Sequence, residues 1–380
     1  MLAQESRTLV KEWNENSSFC VGTFPRKYIQ GPGVLRKIDL WTSTFGEKAM
    51  LVGGSRALSV VENTITGQLS SKGVKVVTEP FGGDSTEEEI ERICCLVESQ
   101  GADFLIGAGG GKAIDTVKAV SFKLNRPVSI IPTVASTDAP TSTVVVIYGE
   151  KGEFLGYIKL PFNPDVVVVD TSVIVQAPFR YLAAGIGGAI GVCYEAPVAA
   201  GSKAVSTAGG CPLKSAVLLA DGIKEVLLKH ALAAKWSVER GVVTGALEAV
   251  VEAVLLMSGI GFESGGLAAA HAVYHGYRSL KKTNPKLHGE LVAFGTIVQM
   301  ILLDHPWHEI EEILSLFHSI GLPLTFEDIG ISGEEVDSIA DVACKEGTVK
   351  NVGFIVSGDE FAGAMQLADR IGQKIRDCKS

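Results

Sequence analysis

The segment Phe104-Leu105-Ile106-Gly107-Ala108-Gly109-Gly110-Gly111-Lys112-Ala113-Ile114-Asp115-Thr116 constrains this chain more than any other. It runs from an apolar strand through a set of glycines into a helix. Absent side chains let backbone N–H groups approach a pyrophosphate, and the helix N-terminus adds partial positive charge at the same place. Lys112 adds a formal charge. The spacing does not match the Walker pattern, and three consecutive glycines directly after a strand point to a dinucleotide, with a merely tight strand-to-helix turn as the alternative reading.

The surroundings agree with a nucleotide-binding sheet. From Lys48 to about Val169, short β-branched runs at 49–52, 74–78, 104–108, 128–131, 143–148 and 166–169 alternate with helical patterns, the signature of a parallel sheet with crossover helices. Ser85-Thr86-Glu87-Glu88-Glu89 opens one of those helices with a capping-box arrangement. After Ala177-Pro178 the pattern changes to helices separated by Gly-rich or Pro-containing turns, at 215–234, 242–258, 266–275, 290–303 and 309–320. No β-rich run recurs. The expected organisation is an α/β dinucleotide-binding domain over residues 1–178 and a helical metal and substrate domain over 179–380.

Length supports two domains, since 380 residues exceed the size at which a single core usually keeps growing. A net charge of -9 and a pI near 5.4, with Lys and Arg scattered, exclude a nucleic-acid partner. The seven cysteines form an odd set without paired CxxC spacing, and Cys94-Cys95 are too close for an ordinary bridge. They read as reduced thiols of a cytoplasmic protein. Residues 1–20 carry Glu5, Lys11, Glu12 and Glu15 and lack the apolar stretch of a signal peptide. The longest uncharged stretches, such as 181–194, fall short of the roughly 18 residues of a membrane span, so no membrane association is expected.

Four blocks are more specific. Gly109-Gly110-Gly111-Lys112-Ala113-Ile114-Asp115-Thr116, then Pro132-Thr133-Val134-Ala135-Ser136-Thr137-Asp138-Ala139-Pro140-Thr141-Ser142, then Gly261-Phe262-Glu263-Ser264-Gly265-Gly266-Leu267-Ala268-Ala269-Ala270-His271, and His288-Gly289-Glu290 resemble the glycerol dehydrogenase family, part of the iron-containing alcohol dehydrogenases. The resemblance extends from about Arg26 to the C-terminus. It implies a doubly wound nucleotide domain, an all-helical second domain in the arrangement shared with dehydroquinate synthases, and a cleft between them holding a divalent metal, usually zinc, beside the nicotinamide of NAD or NADP. Residues matching the family's cofactor contacts are Gly111, Lys112, Thr133, Ser136, Ser142, Val144 and Tyr148, and the turn adds Gly109, Gly110 and Asp115. Asp138 matches the residue that touches substrate hydroxyls, and His271 and His288 match two metal ligands. These three form the expected catalytic set. The implied substrate is a small polyol or hydroxyketone, and the implied assembly a homo-oligomer.

The chemistry requires such a site because a metal-bound alcohol loses its proton near neutral pH and the alkoxide then expels hydride onto the nicotinamide. Three protein ligands and an open position are the usual catalytic arrangement. Here the sequence departs from the family. Its third ligand is an Asp in a block resembling Leu-Ala-Ala-Gly-Ile-Gly-Asp-Ala, and this chain reads Leu182-Ala183-Ala184-Gly185-Ile186-Gly187-Gly188-Ala189. Glycine has no ligating atom. Asp138, Glu195 or His275 are the conceivable replacements, His275 because it lies four residues after His271 on one helical face. Two other readings stand beside the dehydrogenase: a catalytically silent homologue that keeps the scaffold, and a dehydroquinate-synthase-like lyase. A second departure follows the first strand. Val52-Gly53-Gly54-Ser55-Arg56 has Gly54 where many relatives carry an Asp that holds the adenosine ribose, which permits NADP as well as NAD.

Overall fold

A computed structural model of the chain describes residues 19–280 and 286–379. Six strands form one parallel sheet: β1 (Tyr28–Gly31), β2 (Lys48–Gly53), β3 (Lys75–Pro80), β4 (Phe104–Gly109), β5 (Val128–Pro132) and β8 (Val166–Asp170), in the spatial order β1-β8-β5-β4-β2-β3. Every residue of β4, β5 and β8 is buried, as expected of parallel strands covered on both faces. Alternate residues of β4 face different helices. Phe104 and Ile106 join the core built on Leu58, Val61, Ile65 and Leu69 of helix α1 (Ser55–Ser70). A Cβ on Gly107 would instead lie 3.0 Å from Val117 of helix α3 (Gly111–Leu124). Helix α2 (Glu87–Gln100) precedes β4, and Thr86 caps it by accepting from the Glu89 N–H at 3.1 Å. Only half of the expected capping box forms, because the Glu89 carboxylate turns to the Gly82 N–H and to Arg92.

This order gives the sheet a switch point. The chain steps from β2 outward to β3, then returns to the other side of β2 to place β4 and β5, so the connections leaving β2 and β4 cover opposite faces. The crevice at the carboxyl ends of two such strands is where doubly wound folds bind ligands.

One expected strand is not in that sheet. Val144–Tyr148 (β6) pairs antiparallel with Phe154–Lys159 (β7), a strand the sequence reading did not include. The turn between them is too short for the crossover that a parallel partner requires. Residues of β6 alternate between buried and half-buried, unlike the continuous burial of β4.

The chain packs as two compact units, which differ from a single division at 178 in one respect. Thr23–Pro178 forms the first unit together with Ser237–Leu255, and Phe179–Trp236 with the chain from Leu256 onward forms the second. Glu248 shows why the excursion belongs to the first unit: its carboxylate takes Gln30 Nε2 of β1 at 2.7 Å and the Thr171 hydroxyl just beyond β8. The run expected at 242–258 is two α-helices, α6 (Gly245–Glu252) and α7 (Ser258–Gly265), joined by a π-helical turn at Ala253–Met257.

The second unit is helical. Around α4 (Phe179–Gly201) lie α8 (Ala269–Ser279) and α9 (His288–Leu302), with α5 (Lys214–Arg240) before them and α10 (Trp307–Ile320), α11 (Val336–Ala343) and α12 (Gly358–Lys379) after them. Glycines set the α4–α9 spacing. A Cβ on Gly289 would lie 1.7 Å from the Ala184 carbonyl oxygen, one on Gly187 2.4 Å from the Gly289 carbonyl oxygen, and one on Gly191 2.4 Å from Val292. Among the described residues, two helical stretches, Phe179–Gly201 and Gly245–Gly265, are long and apolar enough to cross a membrane by length and composition, more than the uncharged runs suggest. Burial within the protein covers 83% and 56% of their apolar windows.

Candidate active site

The glycine turn lies at the switch point. Gly109 ends β4 with φ +150°, a conformation that side chains rarely adopt, and Gly110 enters α3 in extended backbone with no side chain capping the helix. Packing does not explain the next two glycines, since a Cβ on Gly110 or Gly111 would make only ordinary contacts, at 3.4 Å to Val134 and 3.5 Å to Thr137. Two bare positions at an uncapped helix N-terminus form an anion cradle. Thr133 borders it, donating its N–H to the Gly109 carbonyl at 3.0 Å. Lys112 stands exposed in the first turn, pairs with Asp84 and holds its ammonium 4.8 Å from the centre of the Tyr148 ring. These features fit a dinucleotide pyrophosphate, with Gly110, Gly111 and Lys112 as the groups that would hold it.

Other expected cofactor residues gather elsewhere. Asp115 is buried and pairs with the buried Lys118 at 2.9 Å, while its second oxygen accepts the Val146 N–H at 3.0 Å. Burial pushes the Asp115 carboxyl above the ordinary carboxylate range in spite of both partners. Lys118 donates to the carbonyls of Ala139, Ser142 and Val144 at 2.9, 3.0 and 2.7 Å. Ser142 accepts the Val144 N–H through its hydroxyl at 2.9 Å. Asp115, Ser142 and Val144 therefore form a buried polar knot that fixes the loop and β6. Ser136 and Asp138 are half-buried on that loop, and Asp138 leads into the single turn Ala139–Thr141. The sequence reading overlooked Lys118, although an Asp and a Lys three apart on an apolar helix signal such a pair.

In the second unit the two histidines come together. The rings of His271 on α8 and His288 at the start of α9 are 5.2 Å apart between centroids, and Tyr274 packs edge-on against His288 at 4.4 Å. Glu195 of α4 is fully buried and holds His271: one oxygen faces Nδ1 at 2.5 Å, and the other accepts the Ala268 and His271 N–H groups, each at 2.9 Å. A neutral His271 ring that donates Nδ1–H to the carboxylate carries its lone pair on Nε2. Burial, then the neighbouring His271 and His275, drive the His288 pKa well below its ordinary value, and burial with His271 and Arg278 brings His275 down to about 4. His275 packs edge-on against Tyr274, with ring centroids 5.3 Å apart.

Each residue of His288-Gly289-Glu290 has a separate task. His288 faces His271, and Gly289 permits the close approach to Ala184. Glu290 takes Arg180 of α4 through Nε at 2.6 Å and Nη2 at 2.8 Å, and it accepts the Leu287 N–H at 2.8 Å, so it anchors the start of α9. Burial alone would raise the Glu290 pKa, but Arg180 and the Leu287 N–H hold it below the ordinary value.

The donor set does not amount to a three-ligand metal centre. Glu195, one conceivable replacement for the lost ligand, is committed to His271 and two backbone N–H groups. Among the described residues, no three His, Cys, Asp or Glu side chains gather closely enough to hold a metal ion. Gly188 is also unlike its neighbours. A Cβ there would meet only Gly289 Cα, at 3.9 Å, so packing does not demand a glycine.

Comparison with known proteins places the chain. The sequence model of the iron-containing alcohol dehydrogenases matches residues 25–171. A glycerol dehydrogenase of Thermotoga maritima is 43% identical over 357 residues, covering 92% of this chain and 97% of that protein. The chain belongs to the iron-containing alcohol dehydrogenases. Within that family it is also 40% identical to a glycolaldehyde reductase of Halobacterium salinarum, over 93% of this chain and 98% of that one. The crystal structure of a glycerol dehydrogenase from Schizosaccharomyces pombe superposes with a TM-score of 0.91 at 34% identity, covering 96% of this chain and 94% of that one. The α/β sheet with a helical second half is the fold of this iron-containing alcohol dehydrogenase family.

Proposed function

We propose that this family member is a nicotinamide-dependent oxidoreductase that transfers hydride between a small polyol or hydroxyketone and NAD or NADP. The observation that carries the reading is the uncapped turn Gly109-Gly110-Gly111 at the switch point of the sheet, a cradle whose bare positions packing does not require. Family membership supplies the chemistry, since relatives 40–43% identical over most of the chain are named glycerol dehydrogenase and glycolaldehyde reductase. Those names favour a dehydrogenase over a lyase. They also point to substrates with an oxygen on adjacent carbons.

The nicotinamide, when bound, supplies the hydride acceptor or donor. The chain's part is to bind and orient. The glycine turn and Lys112 take the pyrophosphate, with Thr133 and Tyr148 beside them. Asp138 accepts a hydrogen bond from a substrate hydroxyl. Gly54 begins α1 with no heavy atom within 4 Å of a Cβ built there, and Ser55 and Arg56 beside it are exposed, so a ribose 2′-phosphate meets no carboxylate. The position is therefore compatible with NAD or NADP. The protein works as a cytoplasmic homo-oligomer.

Purified protein given glycerol, 1,2-propanediol or dihydroxyacetone with either nicotinamide cofactor tests the reading through the absorbance of the reduced nicotinamide. Absence of turnover across diols and hydroxyketones from a folded protein contradicts it. A second reading is favoured by Gly188: a silent homologue that binds the cofactor without turning it over. Calorimetric binding of NADH without any turnover is its signature.

A further inference from the structure

We infer that the second unit is one carboxylate short of a metal centre, that position 188 still has room for it, and that a small monocarboxylate from solution can serve there instead. His271 and His288 then hold a divalent cation firmly only when a third, anionic oxygen donor comes from outside the chain. The inference rests on reading these two histidines as donors and is independent of turnover.

The steric pattern around α4 is the first support. Gly187 and Gly191 lie one residue before and three residues after Gly188, and both are glycine for a cause, because a Cβ on either would come within 2.4 Å of α9. Gly188 lies between them without that cause, its built Cβ at ordinary contact distance, 3.9 Å, from Gly289 Cα. Gly289 directly follows His288. A side chain at 188 therefore starts against the backbone of the residue that follows His288.

The second support is that the rest of the site is still built. Glu195 is fully buried and makes three bonds whose combined effect is to fix the α8 N-terminus and the His271 ring. Such an outer carboxylate orients a metal-binding imidazole and raises its basicity. Arg180 and Glu290 pin the start of α9, which carries His288.

The third support is the charge balance. Two neutral imidazoles offer two bonds and no negative charge to a dication, whereas a carboxylate adds a bond and one unit of negative charge. Glu195 cannot supply that charge without releasing His271, and no triplet of His, Cys, Asp or Glu side chains gathers among the described residues. The ligand class is thus a small monocarboxylate, with formate as the smallest probe.

The test is calorimetric titration with zinc chloride in a non-coordinating buffer, using the full chain, Gly188→Asp, and Gly188→Asp combined with His271→Ala, each with and without formate. The native chain should gain at least about tenfold in zinc affinity with formate. Gly188→Asp should bind zinc about a hundredfold more tightly than the native chain without formate, and formate should not improve it. Adding His271→Ala should abolish that gain. The inference is overturned if the native chain alone binds as tightly as Gly188→Asp, if folded Gly188→Asp gains nothing, or if formate leaves the native chain unchanged. Gly188→Ala guards against misfolding. Its thermal midpoint should be unchanged or higher, and a fall would show that the position is not open and overturn the premise.

Discussion

His271 and Glu195 are locked together: the imidazole Nδ1 lies 2.5 Å from a carboxylate oxygen that no solvent reaches, and the partner oxygen takes the His271 backbone N–H. The carboxylate thereby sets both the ring orientation and the tautomer. Glu195→Gln forces a choice. If the amide oxygen keeps the two backbone N–H groups, its NH2 faces Nδ1 and the proton must move to Nε2, removing the lone pair there. In the Gly188→Asp background, zinc affinity measured by calorimetry should fall about 10- to 100-fold on Glu195→Gln, with secondary structure intact by circular dichroism. Unchanged affinity would mean that Glu195 has no part in positioning the ring.

The buried pair Asp115 and Lys118 predicts an asymmetric cost. Lys118→Met removes a cation that serves Asp115 and three carbonyl oxygens, and it should destabilise the protein by about 3 kcal/mol. Asp115→Asn leaves the three carbonyl bonds in place and should cost less. Urea midpoints of the two variants check the order, and equal costs would show that the carbonyl bonds contribute nothing.

Cofactor choice turns on Gly54. A carboxylate at this open position should repel a ribose 2′-phosphate and accept the hydroxyls of a plain ribose. Gly54→Asp should shift the kcat/KM ratio of NADP to NAD downward by at least about tenfold, or ~1.4 kcal/mol. An unchanged ratio would place the adenosine ribose elsewhere.

The C-terminal helix carries a pH-dependent tie. Burial would raise the Asp328 pKa, but the Leu324 N–H, Thr325 and Arg376 outweigh it and hold the carboxyl below its ordinary value. A depressed folded pKa means stability that is present above the unfolded value, about 4, and lost as pH falls through the folded one. Asp328→Asn should lower the thermal midpoint at neutral pH, and the gap to the native protein should close as pH falls below about 4 and through the depressed folded value. A gap that stays constant with pH would remove the charge from the explanation.

Much of this molecule is readable from its residues, for reasons that differ by region. Buried parallel strands announce themselves as continuous apolar runs, and the β4–α3 turn as consecutive glycines, so the sheet, the helical second half and the uncapped glycine turn are legible. Val144–Tyr148 misled because a β-branched run does not say which way its partner runs, and only the short connection to Phe154–Lys159 decides that. The return of Ser237–Leu255 to the first unit was hidden since it depends on Glu248 meeting Gln30, a contact 218 residues apart. At the site, motif positions located His271, His288 and the bare Gly188. Glu195 was weighed there as a metal ligand, whereas its burial against His271 makes it the ring's anchor. No spacing rule distinguishes those two roles, because both put a carboxylate near the same imidazole.

The most direct measurement of the central claim, a dehydrogenase scaffold with one donor removed, is the initial rate of nicotinamide reduction with 1,2-propanediol and added zinc, for the native chain and for Gly188→Asp. Gly188→Asp should exceed the native rate at least about tenfold, or ~1.4 kcal/mol in barrier, and lose that gain on His271→Ala. Equal rates in two folded, NADH-binding proteins would contradict it.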